Sequence, residues 1–129
     1  MVRKTILASA VLIASTGAIG AAQAACKKAG PELAGVYELR GVREVGSLIQ
    51  LRSDGRFAYM MTYGAYDEVA RGCWSRNGAR VVLRPTQMRT GTGGRKFKQL
   101  ILTNAAAGLL LRKLDPRQTG RYIRVRRGG

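Results

Sequence analysis

The chain reads as an all-β protein, an antiparallel up-and-down meander of about eight strands closing into a small barrel. Three observations predict this. Apolar residues alternate with polar ones at a period of two through most of the chain after residue 34, the pattern of half-buried strands. The alternating runs recur at about ten-residue spacing and are separated by turn formers such as Asp54-Gly55 and Asn77-Gly78. No stretch after residue 24 keeps a helical period. Closure follows because an open meander would leave two unpaired edges and a barrel leaves none.

Residues 1–24 stand outside this fold. Arg3 and Lys4 precede an apolar run from Ile6 to Gly20, and Ala22-Gln23-Ala24 has the form of a signal-peptide cleavage site. The expected protein is therefore periplasmic or secreted after cleavage near Ala24, with an arm over residues 25–34 and one barrel domain over 35–129. The first strand is expected over Leu33–Gly41 and the second over Ser47–Arg52, with Ile49 and Leu51 on one face. In the third, Arg56–Tyr63, the large residues Phe57, Tyr59, Met61 and Tyr63 share a face.

A longer turn is expected around Gly64–Glu68. The fourth strand, Val69–Arg76, sets Ala70, Gly72 and Trp74 against Arg71, Cys73 and Ser75. Asn77-Gly78 predicts a type I′ hairpin turn, whose two central residues both need φ > 0. The fifth strand follows, with Val81 and Leu83 inward and Arg80 and Arg84 outward, and then a glycine-rich loop over residues 86–95. Lys96–Thr103, Gly108–Leu114 and Arg121–Arg126 are the last three strands.

The run L-x-x-DGRF, a glycine-bearing turn with acids, and then G-x-W-x-x-x-G-x-x-V-x-L resembles the repeating hairpins of small secreted bacterial β-barrels. These are lipocalin-like or streptavidin-like in shape. The resemblance covers about forty residues and rests on turn and packing motifs, so it implies a fold and no activity.

The two cysteines, Cys26 and Cys73, are expected to form one disulfide in an oxidising compartment. Cys73 alternates against Trp74, so the bridge would strap the arm to the outside or rim of the sheet. The alternative is a lipoprotein with lipid on Cys26, for which an aliphatic residue would be expected three positions upstream, where Gln23 stands.

The net charge is +16, and removing Arg3 and Lys4 leaves +14. From Ala25 to Ala70 six basic residues balance six acids; from Arg71 onward fifteen basic residues face Asp115 alone. Arg80, Arg84, Lys96, Lys98, Arg112 and Arg124 are the expected members of an outward cationic face. In an exported protein the matching polyanions are lipopolysaccharide, anionic phospholipid or acidic glycan, and the signal peptide argues against nucleic acid.

Histidine is absent from the chain, which excludes the common general base and the Ser-His-Asp and Cys-His arrangements. Asp54, Asp67 and Glu68 read as turn residues, and no cofactor or metal motif is present. Arg89–Lys96 lacks the phosphate-loop spacing. The expectation is a non-enzymatic protein that acts by binding. Tyr59, Tyr63 and Trp74 either fill the barrel or face a small apolar ligand within it. The alternative role, inhibitor or partner of a secreted enzyme, requires a complementary surface, and a basic target such as lysozyme would repel this chain.

Overall fold

The computed structural model describes residues 25–128. The expected signal segment, 1–24, and Gly129 lie outside the described residues. Eight antiparallel strands follow in chain order: β1 (Gly35–Arg40), β2 (Val45–Leu51), β3 (Arg56–Tyr63), β4 (Tyr66–Asn77), β5 (Arg80–Thr90), β6 (Leu100–Ala106), β7 (Leu109–Asp115) and β8 (Gln118–Arg127). Each pairs with the next and β8 returns to β1, so the meander is a closed barrel.

The period-two pattern explains which side chains fill it. On β3 Phe57 and Tyr59 point inward and are buried, while Arg56 is exposed. Ile49 and Leu51 meet them from β2, Ala70 and Trp74 from β4, and Val81 and Leu83 from β5. Each of the aliphatic side chains and Phe57 contributes about 1.5–3 kcal/mol by leaving water, the Ala70 methyl less.

Of the hairpin turns, one is tighter than the sequence suggested and one is shifted by a residue. Tyr63 pairs with Tyr66, so the β3–β4 turn is only Gly64-Ala65, and Asp67 and Glu68 belong to a strand. Asn77 pairs with Arg80, so the β4–β5 turn is Gly78-Ala79 and not Asn77-Gly78. Gly78 takes φ 62° and Ala79 does not share a positive φ. Only the first central residue is left-handed, as in a type II′ turn. The glycine-rich loop also shifts: β5 continues to Thr90, β6 starts at Leu100, and residues 91–99 connect them.

That shift reflects a bulge. Arg71 faces Gln87 but Gly72 faces Pro85, so Thr86 is an extra residue on β5. A Cβ on Gly72 would lie 2.1 Å from the Arg84 carbonyl oxygen, so only glycine lets the strands approach there. Beyond the bulge the parity of β5 is reversed, and Met88 packs against the core. β5 pairs with β6 only from Arg80 to Leu83. Phe97, from the connecting loop, packs edge-on against Tyr59 with ring centres 5.4 Å apart.

The arm closes the other end. Cys26 and Cys73 form the expected disulfide, and Ala29 N–H donates to the Ser53 carbonyl at 3.0 Å. Leu33 is buried in the core, and its carbonyl accepts from the Tyr37 hydroxyl at 2.8 Å. Where the barrel closes, Gly128 N–H donates to the Ala34 carbonyl at 3.3 Å.

Candidate functional site

Three places hold chemistry: a polar network inside the barrel, a cleft on its outer wall and a basic surface. The network begins at Arg112, which follows Leu110 on the inner face of β7. Its Nη1 donates to the hydroxyls of Tyr59 and Tyr122, each at 3.1 Å. Tyr59 in turn donates to Glu68 Oε1, and Tyr66 donates to Glu68 Oε2 at 2.6 Å. On the other branch Ser47 Oγ donates to the Met60 carbonyl at 2.8 Å. With its one hydrogen committed, Ser47 accepts from Tyr122, 2.9 Å away.

The network is electrostatically self-contained. Burial pushes the Tyr59 phenol far above its ordinary range, with Arg112 pulling against it and the bond to Glu68 adding to the rise. The bond to Glu68 also raises Tyr66. Burial disfavours the Arg112 cation, and the phenols of Tyr59 and Tyr122 outweigh that. Sequence reasoning missed Glu68 because a longer turn was expected there; with a two-residue turn it shares the inward parity of Ala70 and Trp74.

The residues expected to face a ligand do not come together. Tyr59 and Trp74 are 3% and 2% exposed within the core, whereas Tyr63 is 53% exposed at the end of β3. Trp74 Nε1 donates to the Arg52 carbonyl at 2.8 Å, locking the β2–β3 turn. Tyr59 and Trp74 fill the interior, Tyr59 also reaching the lining of the outer-wall cleft, and Tyr63 stands apart from both.

The expected cationic face needs two corrections. Arg112 points inward, as described. Arg124 is also turned toward the barrel end: its Nη1 donates to the Glu32 carbonyl at 2.9 Å, and its guanidinium carbon lies 5.8 Å from the Tyr37 ring centre. Phenol oxygens, carbonyls and an aromatic ring give these two arginines the partners that water would otherwise supply. Arg80 and Arg84 are exposed on β5 as expected. Lys96 and Lys98 are exposed too, but on the loop before β6 rather than on a strand.

The cleft has a volume of about 870 Å³ and is lined by outward residues of β2–β5, among them Leu48, Met60, Val69, Arg71 and Arg89, by loop residue Lys96, and by the core-side residues Tyr59, Ala70 and Met88. Among the described residues no group of three or more acidic, cysteine or histidine side chains could hold a metal ion. Comparison of the chain with protein-family models, with curated proteins and with solved structures finds no match.

Proposed function

We propose that this is a non-enzymatic binding protein of the periplasm or the secreted fraction, whose basic outer surface engages an anionic component of the cell envelope. The observation that carries the reading is the unbalanced charge of the C-terminal half. Fifteen basic residues follow Ala70 against the single acid Asp115. Fifteen less the two turned toward the barrel, Arg112 and Arg124, leaves thirteen. Among the described residues, the ion pair between Arg76 and Glu32 is the only one that involves this half. A surface so charged attracts polyanions, and the attraction weakens as salt rises. The disulfide supports an oxidising compartment, and the filled interior favours the outer surface over the lumen as the binding element.

The test is binding to phosphatidylglycerol vesicles across a salt series. Wild type should bind at low salt and release as screening shortens from ~10 Å at 0.1 M to ~3 Å at 1 M. Reversal of Arg80, Arg84 and Lys98 to Glu should abolish binding, and reversal of Arg40, Arg43 and Arg52 should leave most of it. Equal loss in both triple variants would mean that only net charge matters, and no binding at low salt would reject the proposal.

A further inference from the structure

The outer cleft combines an apolar floor with a cationic rim. Leu48, Met60 and Val69 are direct cross-strand partners on β2, β3 and β4, so their outward side chains form one row. Arg89 on β5 ends that row. The next row toward the arm runs Gln50, Ala58 and Arg71. Ala58, the smallest of these, leaves the floor low. Leu48 is 39% exposed, on a wall whose core lies on the other side.

The rim is equally unpartnered. Arg71, Arg89 and Lys96 are exposed, and none forms an ion pair among the described residues. Asp67 lines a smaller hollow beside Arg89 and Lys96 without bridging to either. The Glu68 carboxylate, on the inner side of the same strand, is taken by Tyr59 and Tyr66. Three cations are thus free at the border of an apolar trough. With strands about 4.8 Å apart, the row from Leu48 to Arg89 extends about 14 Å. The volume lies within the roughly 300–1,000 Å³ of small-molecule sites.

We propose that this cleft binds a single-chain anionic lipid, a lysophospholipid. Its alkyl chain lies along Leu48, Ala58, Met60 and Val69, and its phosphate is held by Arg71, Arg89 and Lys96. Charge complementarity selects the head, and the single apolar row of Leu48, Met60 and Val69 offers a track for one chain. The proposal rests on the envelope-binding reading, for which it names a ligand class and a place.

The experiment is calorimetric titration of the disulfide-intact chain with lysophosphatidylglycerol below its micellar concentration. A monoacylglycerol of the same chain length and glycerol phosphate serve as the phosphate-free and chain-free probes. One lysophosphatidylglycerol should bind per chain, with the monoacylglycerol weaker by about tenfold or more and glycerol phosphate giving no signal. Ala58→Phe, which fills the trough, and Met60→Asp, which charges it, should each weaken binding by about tenfold or more. Melting curves identify any variant that has lost its fold, and the folded one decides.

Glycerol phosphate binding as tightly as the lipid would show that the floor is unused. Equal binding of the monoacylglycerol would show the same of the rim, and unchanged affinity in a folded variant would move the site elsewhere. Each overturns the cleft proposal. The Arg80, Arg84 and Lys98 reversal separates the two readings. It should abolish vesicle binding and leave lysolipid affinity intact. Vesicle binding without lysolipid binding overturns the cleft alone. Lysolipid binding without vesicle binding overturns only the envelope-surface reading.

Discussion

Glu68 and Arg112 carry opposite charges inside one barrel yet form no direct ion pair, because Tyr59 stands between them. Its hydroxyl donates to the carboxylate and accepts from the guanidinium at 3.1 Å. One phenol thus satisfies two buried charges whose desolvation would otherwise be costly.

Tyr59→Phe should therefore destabilise far more than the loss of one oxygen suggests. It leaves a carboxylate oxygen and a guanidinium N–H short of a partner, and the expected loss is ~2–4 kcal/mol. Tyr63→Phe, on the exposed end of the same strand, should stay within about 0.5 kcal/mol of wild type. Urea midpoints of the two variants make the comparison. Equal midpoints would show that the bridge contributes nothing.

The same phenol sets an alkaline limit. Burial holds Tyr59 and Tyr37 protonated in the folded chain above the ordinary phenol value of 10.0. The unfolded chain then releases its protons first as pH rises, so it binds fewer than the folded chain there. Stability is full below pH 10.0 and falls as pH climbs beyond it. Tyrosinate absorbance should rise in two stages, the later one coinciding with loss of far-ultraviolet β signal. A single rise with the fold intact would contradict the burial of these phenols.

Two glycines of positive φ should respond differently to alanine. Gly78 has φ 62° and nothing within 4 Å of a built Cβ, so Gly78→Ala should cost only the backbone strain, ~1 kcal/mol. Gly55 has φ 91°, and its Cβ would lie 2.0 Å from the Lys27 carbonyl oxygen. Gly55→Ala should cost more than ~2 kcal/mol because the arm must move as well. Thermal midpoints should rank Gly55→Ala clearly below Gly78→Ala.

Replacing Cys26 and Cys73 with serine should lower stability by ~4 kcal/mol on the chain-entropy estimate for a loop of this length. The arm that places Ala29 and Leu33 against the core would lose its covalent tie. Thiol labelling of the unreduced wild type should find no free cysteine.

Much of the barrel was legible in the sequence because the period of two is a direct consequence of the pleat. Ile49, Leu51, Phe57, Trp74, Val81 and Leu83 all face inward as their parity requires. Turn length was harder to read. Asp67 and Glu68 follow Gly64-Ala65 so closely that two acids suggested a loop, although the Tyr63–Tyr66 pair makes them strand residues. Arg112 was expected on the outward face, whereas it shares the inward parity of Leu110 and finds its partners in the phenols of Tyr59 and Tyr122. Pairing geometry also hid the cleft, because Leu48, Met60 and Val69 become neighbours only once the register is fixed.

The bond from Gly128 to Ala34 has a consequence for chain order. The barrel's two ends meet, so its ring of neighbours has no privileged starting point. A circularly permuted gene, joined by a short linker from residue 128 to the arm and opened between Gly78 and Ala79, would encode the same cyclic succession of hairpins. Both residues are exposed, and that is where such cuts are tolerated. What the eight strands specify is a cycle, and the seam between β8 and β1 is one cut among several the architecture would accept.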